Sequence, residues 1–221
     1  QLHLHETEQE VLESTEQFST TPIQRLAKLG VLSPRAQAVH VTQLSASDHE
    51  ILAQSGASVI HCPTSNMKLA SGYCDIVAIN QTGMRLGFGT DGAASNNTLN
   101  MFDTLRMAAL LAKQHHRDAA VVSAKQALFH ATLGGAQALG IDHLTGSLSA
   151  GKQADMISVD CNHPALQPVH QPISTLAYTQ AGAAVSNVWI SGERKAKDGK
   201  LTGIELTAVS YTHLTLPTSP K

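Results

Sequence analysis

Four times within its first hundred residues this chain runs a short apolar stretch into a polar side chain and then into a helical pattern. The stretches end near His3, His40, His61 and Asp91. An order of strand, loop, helix, strand calls for parallel pairing with crossover helices. In a parallel barrel, the C-terminal strand ends carry the functional side chains. Four such units make half of an eight-stranded barrel. The most telling of them is Gly87-Phe-Gly-Thr-Asp-Gly-Ala-Ala-Ser-Asn-Asn, where one carboxylate, Asp91, follows a short apolar run among small and amide residues.

The helical patterns that alternate with these strands cover residues 8–18, 22–29, 47–54 and 75–81, and two longer ones cover 99–115 and 123–139. Residues 62–72 read as a polar loop over the barrel mouth, because Pro63 forbids a continuing strand. The pattern changes after Gly140. Residues 156–159 and 184–190 read as strands and Ser191-Gly192-Glu193 as a hairpin turn. The expected division is a half-barrel over 1–140 and a β-rich module, part of a small β-sandwich, over 141–206.

A formal charge of −2 without any Lys/Arg run argues against a nucleic-acid or membrane-surface partner. No apolar stretch has the length of a membrane span. The three cysteines, Cys62, Cys74 and Cys161, form neither a CxxC pair nor a disulfide framework, so a cytoplasmic location is expected. Twelve histidines in 221 residues make a metal site worth seeking.

His3 and Glu6 sit three apart across a strand end. A histidine ligand beside a non-ligating glutamate is what metal-assisted hydrolysis needs: the imidazole holds an ion and the carboxylate moves protons. Taken singly, each candidate also has a plain structural reading. His3 and His5 fit a solvated or core strand, His40 fits a satisfied core histidine, and Asp91 fits a helix or turn cap. Ser65 and Asn66 either bind a polar ligand or satisfy a turn. Lys68 reads as a solvated surface residue. A Cys62–His61 nucleophilic pair is disfavoured, because neighbours on a strand face opposite sides. It is the joint order, polar groups suited to metal or proton chemistry at successive strand ends, that favours the functional reading.

The combined pattern resembles the amidohydrolase superfamily, in its TRZ/ATZ or chlorohydrolase-like group. The matching segments are His3-x-x-Glu6, Val39-His40, His61-Cys-Pro-Thr-Ser-Asn-Met-Lys-Leu-Ala-Ser-Gly and Gly89-Thr-Asp-Gly-Ala-Ala-Ser-Asn-Asn. Gly146-x-Leu-x-x-Gly-Lys-x-Ala-Asp155 is similar to that family's return into its small β-domain. The resemblance implies a distorted (β/α)8 barrel with one divalent metal, zinc in most members, with Fe2+ or Mn2+ as alternatives. It implies His3 and Asp91 as metal ligands and Glu6 as proton shuttle, with His40 orienting water or polarising substrate. Glu6, His40 and Asp91, together with His61 and Asn66, are the candidate substrate contacts. His5 falls where members vary and receives no role.

The implied reaction is hydrolytic deamination of a 5-methylthioadenosine or S-adenosylhomocysteine-type nucleoside. Guanine deamination and s-triazine dechlorination are the nearby alternatives, and a non-catalytic barrel scaffold is a distant one. The implied partners are a small-molecule substrate and further copies of the full-length chain. The family's first two ligands, a His-x-His motif, have no counterpart here. The chain is therefore expected to be a C-terminal piece, inactive and poorly folded by itself, with two long unpaired strand edges. Residues 209–218 resemble the translation of a transposase-type sequencing adapter, so 207–221 is set aside as a non-native tail. A native disordered tail is the other reading.

Overall fold

The computed structural model describes residues 1–203, so the expectation for residues 207–221 lies outside the described part. Strands β1 (Leu2–Leu4), β2 (Gln37–His40), β3 (Ser58–His61) and β4 (Leu86–Phe88) form one parallel sheet in the order β1-β2-β3-β4. Sequential order with helical crossovers is the arrangement of half a (β/α)8 barrel. The outer strands are only three residues each, so the two open edges are shorter than the sequence suggested.

Register explains the alternation of the two faces. Val39 pairs with His3 on one side and Ile60 on the other, and Ile60 pairs with Gly87. Val39 and Ile60 pack with Cys62 and Ala138 in a small cluster. The intervening residues Leu4, Ala38, Val59, Leu86 and Phe88 join the main core together with the helices. Period-two alternation thus buries both faces, as a parallel sheet requires.

One end of the sheet is closed. The helix Leu133–Leu139 crosses the N-terminal ends of the strands. Its Ala138 carbonyl accepts from Ser58 Oγ at 2.7 Å and from Gln37 Nε2 at 3.5 Å, and the Gln137 carbonyl accepts from Arg85 Nη1 at 3.3 Å. Gly87 permits this approach, because a Cβ there would lie 3.0 Å from Gly135 Cα.

Two expectations change. Residues 62–72 are not simply a loop, since Pro63–Lys68 is a helix. Pro63 does end the strand, but its fixed φ and missing N–H also suit the first helical position. The pattern over 123–139 is two helices, Ala124–Ala131 and Leu133–Leu139, broken at Thr132. The Thr132 hydroxyl bonds back to the Leu128 carbonyl at 2.7 Å, which competes with the helical ladder.

The second sheet is antiparallel, in the order β5 (Met156–Val159), β6 (Val185–Ile190), β7 (Glu193–Lys197) and β8 (Lys200–Leu201). Ser191 (φ 52°) and Gly192 (φ 80°) make the β6–β7 turn, both in the left-handed region that a two-residue hairpin demands. A 3-10 turn, Pro164–Leu166, and a helix, Pro172–Tyr178, separate β5 from β6. Among the described residues no helix is long and apolar enough to cross a membrane.

Candidate active site

The open, C-terminal end of the parallel sheet gathers the polar residues. His3 comes from β1, Glu6 from the turn after it, His40 from the end of β2 and Asp91 from the turn after β4. His3 Nε2 lies 3.8 Å from Asp91 Oδ1 and His3 Nδ1 lies 3.8 Å from Glu6 Oε2. His40 Nε2 lies 3.7 Å from the same Glu6 oxygen. The His3 and His40 rings meet edge-on with centroids 4.6 Å apart. His3, His40 and Asp91 each offer one donor atom, all within 4.8 Å of one another. His40 therefore sits among the potential ligands themselves, rather than only beside them.

The backbone is bent to achieve this. His5 (φ 51°), His40 (φ 77°), Val41 (φ 42°) and Asp91 (φ 59°) all occupy the left-handed region. For a β-branched residue such as Val41 this is a costly conformation that the surroundings must impose. One such restraint is Glu10. Thr7-x-x-Glu10 opens the helix Glu8–Phe18 and has the form of a capping box, and Thr7 does accept from Glu10 N. The Glu10 carboxylate, however, reaches past the cap to accept from His5 N at 2.9 Å and Glu6 N at 2.7 Å. Thr42 Oγ1 donates to the Glu6 carbonyl at 2.7 Å from the other side.

His40, Asp91 and Glu6 are each oriented by a neighbour. Asn66 Oδ1 lies 2.8 Å from His40 Nδ1. A carbonyl oxygen only accepts, so His40 carries its proton on Nδ1 and presents a bare Nε2 to the site. That Nε2 is buried and has no hydrogen-bond partner among the described residues. Asp91 Oδ2 accepts from Ser65 Oγ at 2.7 Å and Ser95 Oγ at 2.5 Å, which leaves Oδ1 facing His3. Burial pushes the Asp91 carboxyl upward. Hydrogen bonds from Ser95, Ser65 and the Gly92 amide, with the His40 ring, outweigh it and hold the pKa at about 2. Asp91 is therefore an anion at neutral pH. Ser71 Oγ donates to Glu6 Oε1 at 3.2 Å. Two imidazoles, one with an unpartnered buried nitrogen, and a carboxylate ionised at neutral pH form a donor set that fits a borderline divalent cation.

Other candidates stand outside the cluster. His61 is fully buried in the wall, edge-on to Phe88 at 6.1 Å, and neither ring nitrogen has a partner among the described residues. Burial, with the neighbouring His40 ring, lowers its pKa to about 3, so it is neutral. Cys62 packs with Val39 and Ile60, and burial, with the nearby Asp91 and Glu6 charges, pushes its thiol up to about 12, which rules it out as a nucleophile. His5 bridges the main chain, with Nδ1 2.7 Å from the Gln43 carbonyl and Nε2 accepting from Ile23 N at 3.1 Å. Lys68 donates to the Ala94 carbonyl and to Asn97, tying the loop after β4 to the helix Pro63–Lys68. Sequence reasoning missed Glu10, Thr42, Ser71 and Ser95. Only Glu10 had a local signal, its position in the capping box.

Comparison with known proteins bears on the family and the fold. The amidohydrolase family model matches residues 1–195. A 5-methylthioadenosine/S-adenosylhomocysteine deaminase of Teredinibacter turnerae is 52% identical over 201 residues, which is 91% of this chain and 46% of that protein. A zinc-bound adenosine deaminase from Xanthomonas campestris superposes with a TM-score of 0.92 at 44% identity, covering 96% of this chain and 48% of that one. A zinc complex of an atrazine chlorohydrolase from Arthrobacter aurescens TC1 superposes at 0.89 with 26% identity, covering 97% and 48%. The chain thus spans about half the length of the curated relatives it matches. A parallel half-barrel with its histidines, glutamate and aspartate at one end, matched by this family model over most of its length, belongs to the amidohydrolase family.

Proposed function

We propose that this chain supplies the C-terminal half of the active site of a metal-dependent aminohydrolase acting on 5-methylthioadenosine or S-adenosylhomocysteine-type nucleosides. The observation that carries the reading is the convergence of His3, His40 and Asp91 within 4.8 Å, with Glu6 within 3.8 Å of both imidazoles. The relatives' names supply the substrate class.

His3 and Asp91 would hold the cation, zinc by the chemistry of the donors, with Fe2+ or Mn2+ able to use the same set. Such an ion supplies Lewis acidity and makes water a competent nucleophile at neutral pH. His40 turns its Nε2 lone pair toward the attacking water and fixes the water's orientation, and Asn66 is the positioning residue that sets this tautomer. Asp91, ionised at neutral pH, accepts a proton from the water as attack on the amidine carbon proceeds. Glu6 carries the water's second proton to the ring nitrogen, and Asp91 passes the first to the amino group, which leaves as ammonia with a ring carbonyl left behind. His61 shapes the wall as a neutral ring rather than entering the proton transfers.

The test is ammonia release by the zinc-loaded product of the full-length gene. S-adenosylhomocysteine and methylthioadenosine should be turned over, and adenosine and guanine less well. Ammonia from none of the four sinks the deaminase reading. The likeness to an atrazine chlorohydrolase favours one alternative, s-triazine hydrolysis, and chloride release from atrazine would replace the deaminase reading with that one.

A further inference from the structure

Away from the site, the last turn of the helix Met101–His116 meets the segment that precedes the helix Ile76–Gln81. Asp75 caps the latter helix, its Oδ1 accepting from Val77 N and Ala78 N at 3.1 Å each. His116 Nε2 lies 2.9 Å from the same oxygen. The His115 ring stacks on Tyr73 with centroids 4.0 Å apart and planes 23° apart. Asp75, His115 and His116 each offer a donor atom, all within 4.8 Å of one another.

We propose that Asp75, His115 and His116 form a second site for a borderline divalent cation of the Zn2+ class. The plain alternative is a hydrogen-bonded pair that ties two helix ends together. Three observations go beyond it. Asp75 Oδ2 accepts no hydrogen bond among the described residues, so one carboxylate oxygen is free while the other is locked by the cap. A ligand carboxylate oriented by backbone amides is already aimed before the ion arrives. Tyr73, Asp75 and His115 also line one cavity with His49, and the buried Tyr73 hydroxyl and His49 Nε2 both lack partners among the described residues.

The chemistry balances. Asp75 Oδ1 only accepts, so His116 Nε2 carries the proton that lies between them. The cation replaces that proton, which leaves to solvent, and binds neutral imidazole. Zinc–nitrogen and zinc–oxygen distances of about 2.0–2.2 Å require donors about 3.3–3.6 Å apart, so the His116–Asp75 pair, now at 2.9 Å, must open slightly to admit the ion. His115 is exposed on the side away from Tyr73. Occupancy would clip the segment from Ser71 to Asp75 onto the long helix. Ser71 is the residue that donates to Glu6, and its carbonyl accepts from Gln43 Nε2 at 2.9 Å.

Zinc itself is the probe, and the full-length gene product is the sample. His3→Ala with Asp91→Ala removes the first cluster. Equilibrium dialysis should still find one tight zinc per chain in this background. Adding His115→Phe, which keeps a ring against Tyr73, should weaken that ion at least tenfold, and His116→Gln should do the same. The proposal fails if the double-alanine chain binds no zinc, or if neither histidine change alters its affinity. Should these variants not fold, zinc-edge anomalous scattering from crystals of the parent chain decides. A peak between Asp75, His115 and His116 supports the site, and a zinc-soaked crystal without that peak overturns it.

Discussion

The two ends of the parallel sheet are made from the same four strands and obey opposite rules. At the closed end Gln37, Ser58 and Arg85 all donate to main-chain carbonyls, with Arg85 Nη2 also reaching the carbonyls of Pro34 and Gly56 at 2.6 and 2.7 Å. None of these three has an unpartnered buried atom or a positive φ among the described residues. At the open end His40, Asn66 and His61 all have buried nitrogens without partners, and His5, His40, Val41 and Asp91 have positive φ. Strain and unmet hydrogen bonding are costs that a fold keeps only where something else needs the geometry. The difference supports the proposed placement of the site at the open end.

The comparison breaks most visibly at Glu6. Glu6→Gln in the zinc-loaded full-length enzyme should cut kcat by about 10²- to 10⁴-fold, the usual worth of a general acid–base group. Its unfolding free energy in urea should stay within about 0.5 kcal/mol of the parent, as for a change that removes no packing. Turnover within tenfold of the parent would remove Glu6 from the proton path.

Gly87→Val tests the opposite end. Its side chain must enter a space where even a Cβ meets Gly135 Cα at 3.0 Å, Ile60 Cδ1 at 3.3 Å and Ala138 Cβ at 3.5 Å. Overpacking of this kind costs about 1–3 kcal/mol. Denaturant unfolding should register that loss, while kcat of the surviving folded enzyme changes little. A variant as stable as the parent would mean that helix Leu133–Leu139 does not close the sheet as tightly as its contacts indicate.

Much of this contrast could be read from the chain alone, and what could not has a common cause. The strands and the helix Glu8–Phe18 announce themselves because their periods are local. Asp91 was placed at a strand end by the glycines and small residues around it. The polar network was hidden because its partners are distant in sequence. Ser71 is 65 residues from Glu6, Ser65 is 26 from Asp91 and Asp75 is 41 from His116. No spacing rule links such pairs, and only the packing of successive βα units brings them together. Asn66 illustrates the middle case: the sequence marked it as a polar contact, but only the fold aims its carbonyl at His40 and so gives it a tautomer to set. The helix Pro63–Lys68 was hidden for another reason, since a proline that ends a strand and one that begins a helix look alike.

His61 sharpens the comparison through pH. Its folded pKa of about 3 lies below the 6.5 of an unfolded chain, so the unfolded state binds more protons between those values. Stability therefore falls as pH drops through that window and is fully present above it. Between pH 7.5 and pH 5 the loss from this residue alone is about 2 kcal/mol. His61→Leu should flatten the urea-midpoint dependence by about that amount. His130, also lowered by burial, would retain a smaller slope of the same sign. An unchanged dependence would mean that water reaches His61 and that the wall of the open end is wet.

The smallest expected effect is the most specific. Ser71 holds Glu6 through one hydrogen bond of 3.2 Å and touches no other proposed catalytic group. A net contribution of about 0.5–1.5 kcal/mol translates into a two- to tenfold loss of kcat/KM on Ser71→Ala. Such a loss alone would not separate positioning from general loosening of the segment. The double variant Glu6→Gln/Ser71→Ala does, because two residues acting through one group are not additive. If Ser71 works by aiming Glu6, its removal costs nothing further once Glu6 has lost its charge. If the two losses multiply, Ser71 acts elsewhere, and Gln43, which donates to its carbonyl, becomes the route to examine.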